Sequence, residues 1–253
     1  GPDVDLEMKV VAIVQARMGS TRLPGKVLAS LGGQPMLRHV LRRALAAKKI
    51  DEVVLATTTA PEDKKLDLVA RALGVRVVFG HPTDVLDRYY QAAKASGANA
   101  IVRVTADCPF LYPQVVDDCV KLFRASKRAY ASNAIKRTFP DGLDVEVFTF
   151  DALETAWKEA KLASEREHVT PFIWKHPKRF PAAELVRGTD LSALRWCVDN
   201  PEDLALAQAV CEGLGRDDRL FGYRELLQFL EKRPDLAALN AGSLNYLKLR
   251  SNN

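Results

Sequence analysis

Several features that would mark a membrane, secreted or zinc-scaffold protein are missing from the 253 residues of this chain. No apolar run approaches the ~20 residues that span a bilayer, and no secretory signal is visible. The cysteines form no Cys-x-x-Cys pair and no Cys/His zinc spacing; they are Cys108, Cys119, Cys197 and Cys211. We therefore expect a cytoplasmic protein with reduced thiols and no membrane partner.

Two familiar phosphate-binding motifs are also absent. A Walker loop needs four residues between its first glycine and a Gly-Lys pair followed by Ser or Thr. Here the interval from Gly19 to Gly25 is one residue too long, and Val27 follows Lys26. The dinucleotide fingerprint Gly-x-Gly-x-x-Gly does not occur either. The sequence therefore excludes a P-loop NTPase and a simple Rossmann dehydrogenase.

Charge and length set broad limits. The net charge of +5 is mildly basic, and outside residues 17–26 the positive side chains are scattered over predicted helices. A small anionic substrate accounts for this bias better than a nucleic acid does. The chain is long enough for one large α/β domain, which we place at residues 8–240. Residues 1–7 resemble an expression-tag remnant, and residues 241–253 form a tail.

Apolar strands alternate with amphipathic helical segments through the first half of the chain. We predict strands over residues 10–15, 52–57, 76–79 and 100–105. We predict helices over residues 35–47, 61–73, 84–96 and 113–125. This βαβα order predicts an α/β fold in three layers, with helices on both faces of a mostly parallel sheet.

The second half departs from this rhythm. Residues 144–150 alternate apolar and acidic side chains, which predicts a half-exposed strand that is antiparallel or at an edge. A short strand is predicted over residues 194–198, and helices over residues 151–161, 164–175, 201–213 and 223–232. Residues 133–181 read as an excursion from the core of the domain.

The segment Arg-Met-Gly-Ser-Thr-Arg-Leu-Pro-Gly-Lys, residues 17–26, directly follows the first predicted strand. Glycine lets backbone N–H groups approach phosphate oxygens closely, while Arg and Lys neutralise their charge. The loop therefore predicts a nucleotide triphosphate site. The alternative is a solvated basic loop with a Pro-Gly turn.

This loop resembles the signature of the cytidylyltransferases that activate sugars, which include the CMP-sialic acid and CMP-Kdo synthetases. Further matching stretches are residues 84–90, 103–109, 140–146, 166–171 and 195–204. The chain is most similar to the spore-coat polysaccharide (SpsF-like) branch. The resemblance implies a Rossmann-like fold of the nucleotide-diphospho-sugar transferase (A-type glycosyltransferase) kind. It also implies a homodimer, whose contact and part of the acceptor site lie in residues 133–181.

The activity implied by the resemblance is Mg²⁺-dependent transfer of CMP from CTP to a sugar or sugar acid, with release of pyrophosphate. Asp107 and Asp199 follow predicted strands, and ligands bind at the carboxyl ends of strands in open α/β sheets. Two carboxylates there can share one Mg²⁺ with phosphate oxygens and waters, and the resemblance assigns both to the metal. Each Asp could instead cap the following helix. Family members often carry Gly before the first Asp, where this chain has Ala106.

Candidate nucleotide ligands follow from the loop and the strand ends. Lys26 and Arg17 are predicted to bind the β- and γ-phosphates and, with Asp107, to be the catalytic residues. Backbone N–H groups near Gly19 and Ser20 would cradle the phosphates, while Arg22 would either help or brace the loop against a carboxylate. The predicted base pocket comprises Ala16, Arg17, Thr57, Thr58 and Arg103, and the family match adds Arg88. The two threonines could equally be ordinary strand-end hydroxyls, and Arg88 could pair with Asp84.

The acceptor side is less defined. Its candidates, for sugar hydroxyls, a carboxylate or proton removal, are Asp141, Asp144, Glu146, Arg166, Glu167 and His168. A competing hypothesis is an A-type glycosyltransferase that uses a nucleotide-sugar donor, but such enzymes usually carry Asp-x-Asp, and the residues after Asp107 lack the second Asp. A non-catalytic nucleotide-binding protein is disfavoured because Lys26 and both carboxylates are present. The sequence names neither the acceptor nor the general base.

Overall fold

A computed structural model describes residues 7–243. The predicted tag remnant and tail lie almost entirely outside these residues. The strands are β1 (Val10–Gln15), β2 (Ser30–Leu31), β3 (Gln34–Pro35), β4 (Glu52–Thr58), β5 (Arg76–Gly80), β6 (Ala100–Thr105), β7 (Tyr130–Ser132), β8 (Glu146–Thr149) and β9 (Ala182–Glu184). The helices are α1 (Met36–Ala46), α2 (Lys64–Ala72), α3 (Val85–Ser96), α4 (Pro113–Ser126), α5 (Phe150–Glu159), α6 (Ala163–His168), α7 (Pro171–Trp174), α8 (Pro201–Leu214), α9 (Tyr223–Lys232) and α10 (Pro234–Ala237).

A seven-stranded sheet in the order β5-β4-β1-β6-β8-β7-β9 forms the centre of the fold. β8 runs antiparallel to both of its neighbours, whereas the other pairings in this sheet are parallel. The first five residues of β1 are apolar and buried because helices cover both faces of the sheet. Because β1, β4 and β6 run parallel, their carboxyl ends meet at one edge of the sheet. The loops that carry the predicted site residues leave the sheet there.

Two hydrophobic clusters fill the space on either side of this sheet. On one face α1, α4, α8 and α9 pack through residues such as Val40, Val120, Val210 and Leu226. On the other face α3 and α5 pack through residues such as Leu86 and Leu153. This arrangement is the predicted three-layer α/β fold. Within residues 7–243, no helix combines the length and apolarity needed to cross a membrane.

The predicted strand at residues 194–198 is wrong. This segment makes only an isolated bridge, between Asp141 and Arg195. Its apolar residues are buried, but its N–H groups pair singly with separate loops: Trp196 donates to the Asp141 carbonyl at 2.7 Å and Val198 to the Asp107 carbonyl at 2.8 Å. The segment has the apolar pattern of a strand because it is buried, although it does not form the repeated hydrogen bonds of a sheet.

Two predictions in the second half need correction. The helix expected over residues 164–175 is interrupted at Val169, whose φ of 71° lies in the left-handed region, and α7 starts anew at Pro171. The strand expected to be half-exposed, β8, is buried between β6 and β7. Glu146 can be buried there because two hydrogen bonds satisfy its carboxylate, one from Arg103 at 3.0 Å and one from the Tyr130 hydroxyl.

Residues 133–181 are therefore not wholly an excursion. They contribute β8 to the interior of the sheet and α5 to one of its helical layers. The short strands β7 and β9 and the β2–β3 hairpin were not predicted, since two or three residues carry too little periodicity to be recognised. The expected contact of this region with a second copy of the chain stays a prediction.

Gly142 is the glycine whose place in the fold most directly shapes the site. Its φ is 113°, and a Cβ there would lie 2.8 Å from the backbone of Trp196 and of Cys197. The missing side chain lets the turn at residues 140–143 lie directly against residues 194–197. Asp141 and Arg195 are thereby brought together.

We expect Gly142→Ala to lower the free energy of unfolding by at least about 1–3 kcal/mol, because it adds a strained φ and a backbone clash. Gly188→Ala is the matched control, since a Cβ at Gly188 meets nothing within 4 Å. Urea unfolding of both variants measures the difference. Equal stability of the two would contradict the close approach.

Candidate functional site

The 17–26 loop folds back on itself at the end of β1. The Met18 carbonyl accepts the N–H of Ser20 at 3.0 Å and that of Gly25 at 3.2 Å. Gly25 adopts a left-handed φ of 70°, which glycine accommodates without steric cost. The closed loop delivers Lys26 to the first position of a short 3-10 helix, Lys26–Leu28.

Asp63 anchors this loop to the end of β4. One of its carboxylate oxygens accepts the Met18 N–H at 2.7 Å, and the other accepts the Thr58 hydroxyl. Asp63 is buried, so these bonds are shielded from water. The sequence analysis missed this residue because it lies in a segment that reads as a helix. Its only local signal is the acidic first turn.

Lys26 and the two predicted metal carboxylates converge. The Lys26 ammonium lies 3.2 Å from an oxygen of Asp199 and 3.9 Å from an oxygen of Asp107. It also donates to the Val198 carbonyl at 2.9 Å. All three side chains are largely but not fully buried, at 15%, 25% and 28% exposure for Lys26, Asp199 and Asp107. Three segments distant in sequence thus meet in one cleft at the sheet edge.

The two carboxylates differ in their electrostatics. Burial raises the pKa of Asp107, which the Lys26 charge opposes and the Asp199 charge reinforces. Burial by itself would also raise the pKa of Asp199, but Lys26 and a hydrogen bond from Arg195 outweigh it and lower this pKa to about 2. Asp199 is therefore held firmly as an anion.

The donor set fits a hard divalent cation. Around the cleft, Asp107, Asp141, Asp199 and Asp203 carry negative charge against the two cations Lys26 and Arg195. Within residues 7–243, no three His, Cys, Asp or Glu side chains are grouped to hold a metal on their own. Two carboxylates with oxygen ligands from a phosphate and from water are what Mg²⁺ commonly uses.

Two groups of the loop already have partners within the protein. The Lys26 ammonium is surrounded by both carboxylates and the Val198 carbonyl, so a phosphate would have to replace some of these contacts. The Ser20 N–H donates its hydrogen bond to the Met18 carbonyl, so it is not available to a ligand in this loop conformation. Arg17, Gly19 and Arg22 lie on the exposed side of the loop.

The predicted base-pocket residues do not form one set. Thr57 extends from the sheet face of Leu55, whereas Thr58 and Arg103 extend from the face of Ala56 and Ile101, because side chains alternate along a strand. Thr57 is fully buried, with its hydroxyl unpaired among the described protein atoms. Arg103 pairs with Glu146 across the sheet. Ala16 is buried at the end of β1.

Arg88 is almost completely buried, and its predicted role at the nucleotide stays a prediction. It is only 1% exposed, and its guanidinium donates to the carbonyls of His81 and Pro82 at 3.1 and 3.0 Å. It therefore braces the loop that precedes α3 from beneath, and direct contact with a nucleotide would require this loop to move. Asp84 pairs with Arg166 at 2.8 Å instead of with Arg88.

The acceptor candidates mostly have partners within the protein. Asp141 pairs with Arg195 at 3.0 Å and Asp144 with Arg137 at 2.8 Å. Arg166 and Glu167, together with Arg17, line a cleft of ≈ 460 Å³ beside the 17–26 loop, and residues 82–85 and Ala163 complete it. Arg17 lies on the exposed side of the loop and also lines this cleft, so the two surfaces adjoin each other.

Sequence reasoning missed a buried group that supports Asp199. Arg195, Asp203 and Asn240 surround the segment that carries this carboxylate. Asp203 could have been found, since it stands three residues after Asn200 and completes a capping box at the start of α8. No local pattern identifies Arg195 or Asn240.

Comparisons with known proteins identify the family of this chain. A family model described as Cytidylyltransferase matches residues 11–213. The spore coat polysaccharide biosynthesis protein SpsF of Bacillus subtilis is 32% identical over 237 residues, covering 90% of this chain and 96% of that protein. A 3-deoxy-manno-octulosonate cytidylyltransferase of Geobacter sulfurreducens is 38% identical over 116 residues, 45% of this chain and 44% of that protein.

Among solved structures, a cytidylyltransferase from Leptospira borgpetersenii matches with a TM-score of 0.86 and 33% identity. The match covers 91% of this chain and 97% of that one. The family match and these relatives confirm the resemblance and the fold that the sequence predicted. This chain belongs to the cytidylyltransferase family and is a nucleotidyltransferase.

Proposed function

We propose that this enzyme transfers CMP from CTP to a hydroxyl of a sugar or sugar acid, with Mg²⁺ as cofactor and release of pyrophosphate. The convergence of Lys26 with Asp107 and Asp199 carries the proposal. A phosphate-binding cation beside two oxygen donors is the arrangement that nucleotidyl transfer requires. The SpsF and 3-deoxy-manno-octulosonate relatives support a sugar or sugar-acid acceptor for surface polysaccharide synthesis.

In the proposed reaction, an acceptor oxygen forms a bond to the α-phosphorus of CTP. The bond from that phosphorus to the oxygen bridging to the β-phosphate breaks, pyrophosphate leaves, and the hydroxyl proton passes to solvent. Asp107 and Asp199 would hold Mg²⁺, which when bound supplies charge neutralisation for the phosphate oxygens. Lys26 would exchange its carboxylate contacts for the β- and γ-phosphates, and Arg17 would approach them from the exposed side of the loop.

Lys26 therefore acts as a resident cation in the proposed cycle. While the nucleotide is away, its ammonium offsets the repulsion between the two carboxylates. With Mg²⁺ held by Asp107 and Asp199, the ammonium would be available to contact phosphate oxygens.

We further propose that the enzyme works as a homodimer in the cytoplasm. Leu162 and Trp174 lie in the region expected to contact a second copy, and they are 58% and 46% exposed. A second copy that covered both side chains would remove their apolar surface from water. The four cysteines are free thiols, as they would remain in a reducing compartment.

The direct test is a matrix of CTP, UTP, ATP and GTP against candidate sugars and sugar acids, read as released pyrophosphate. We expect release with CTP and at least one acceptor, and its loss in excess chelator. Turnover in chelator equal to that in Mg²⁺ would remove the metal from the proposal. Release that requires a nucleotide other than CTP would remove the base assignment.

Asp107→Asn should lower turnover at least ~10²-fold, because Asp107 would hold the metal that neutralises the reacting phosphate, and electrostatic stabilisation of this kind is worth several kcal/mol. Asp118→Asn is the control, since Asp118 accepts only a local hydrogen bond from Gln114 at 2.8 Å on α4. Both variants should keep the wild-type circular dichroism spectrum. Turnover of Asp107→Asn close to that of Asp118→Asn would count against the assignment.

Lys26→Ala should weaken CTP binding about 10- to 100-fold, since a hydrogen bond to a charged group contributes about 1.5–3 kcal/mol. Calorimetric titration with CTP and Mg²⁺, without acceptor, measures this affinity. Lys65→Ala on the exposed side of α2 is the matched control. An unchanged affinity would take Lys26 out of the phosphate site.

A further inference from the structure

Arg195 is a buried cation shared by three carboxylates. Its side chain is 4% exposed. One terminal nitrogen donates to Asp141 at 3.0 Å, and the other donates to Asp199 at 2.6 Å and to Asp203 at 3.1 Å. The Nε group also contacts Asp203, at 3.2 Å. With carboxylates on three sides the guanidinium has no room to rotate.

These contacts fix Asp199 at two points. Arg195 binds its Oδ2 oxygen, and Asp203 accepts the Asp199 backbone N–H at 3.0 Å. The remaining oxygen, Oδ1, faces Lys26 at 3.2 Å. One oxygen of Asp199 is thus engaged by the protein, while the other is presented to the cleft. A carboxylate that binds a metal through one oxygen needs this division of roles.

Asn240 closes the network from the C-terminal segment. Its side-chain amide donates to the Asp203 carboxylate and to the Arg195 carbonyl, both at 2.9 Å. Asn240 is buried and lies in the 3-10 segment Ala238–Ser243, which packs on α8. Through this one amide, the segment that follows α9 and α10 contacts Arg195 and Asp203 behind the cleft.

We propose that Arg195 is a positioning residue for the metal carboxylate Asp199, and that Asn240 secures it through Asp203. The inference rests on the proposed function, because it takes Asp199 as a metal ligand. Arg195 itself does not contact the nucleotide, since its side chain is buried and its N–H groups are directed at carboxylates.

The geometry requires arginine at this position. A planar guanidinium can donate to several carboxylates at once in fixed directions, whereas a lysine ammonium is a single point charge on a flexible stem. Lysine would preserve the charge but would leave Asp141 or Asp203 without its directed bond. Asp199 would then sample orientations in which Oδ1 no longer faces Lys26 and the cleft, and metal affinity would fall before the chemistry changed.

The test is Mn²⁺ binding to the full-length enzyme, measured by the electron paramagnetic resonance signal of free Mn²⁺. Arg195→Lys should bind Mn²⁺ about 10- to 100-fold more weakly, the usual effect of losing a residue that orients a metal ligand. We expect its pyrophosphate release to recover as the Mg²⁺ concentration is raised, because the substitution lowers metal affinity and largely retains turnover at saturating metal. Asn240→Ala, which loses one hydrogen bond to the Asp203 carboxylate and one to the Arg195 carbonyl but leaves the Arg195–Asp199 pair in place, should weaken Mn²⁺ binding about two- to tenfold.

Two further variants bracket this result. Asp199→Asn should lose the site that Arg195→Lys only weakens. Arg233→Lys is the matched control, since Arg233 makes a bidentate pair with Asp235, at 2.9 and 2.8 Å, on the exposed surface of the C-terminal segment. It should bind Mn²⁺ as wild type does. Thermal unfolding of each variant separates loss of the site from loss of the fold.

The outcomes separate the two proposals. Wild-type Mn²⁺ affinity in folded Arg195→Lys, with the site lost in Asp199→Asn, overturns the positioning role and leaves the proposed function intact. Absence of Mn²⁺ binding and of pyrophosphate release in the wild-type enzyme overturns the proposed function itself. Should Arg195→Lys fail to fold, Asn240→Ala decides, and wild-type affinity in that variant overturns the inference.

Discussion

The contact of one ammonium with two carboxylates is the constraint on which the rest of the site depends. Lys26, Asp107 and Asp199 come from a loop after β1, a turn after β6 and a segment before α8. Two ionised carboxylates so close to each other are unfavourable without a cation between them. In this structure the Lys26 ammonium is that cation, and under the proposed function Mg²⁺ would take its place between the two carboxylates.

The surroundings of this contact keep it from relaxing. Asp63 and Gly25 close the 17–26 loop, so the backbone of Lys26 is fixed at the mouth of the cleft. On the opposite side, Arg195 and Asp203 hold Asp199 while Gly142 lets the adjoining turn approach. Four carboxylates face two cations there, and this excess of negative charge attracts a divalent cation more strongly than a monovalent one.

Local pattern was enough where an element is long and its partners repeat along the chain. β1, β6 and α9 have the bounds expected from their apolar periodicity. The local sequence pattern gave a wrong prediction where a segment is buried without the hydrogen bonds of a strand. Residues 194–198 are apolar and buried like a strand, but their N–H groups go to separate loops. β7 and β9 form only because neighbouring strands offer them a ladder.

The sequence by itself determined the family, the parallel core of the sheet, and the placement of Lys26 and Asp107 after the first and the fourth predicted apolar strands. Those follow from motif order and from the rule that parallel strands end at one edge. Only the tertiary structure decided which face of the sheet Thr57, Thr58 and Arg103 occupy, that Arg88 is buried, and that Arg195 and Asn240 stand behind Asp199. These contacts join residues far apart in the chain, and no local spacing encodes them because the approach of distant segments depends on the packed core.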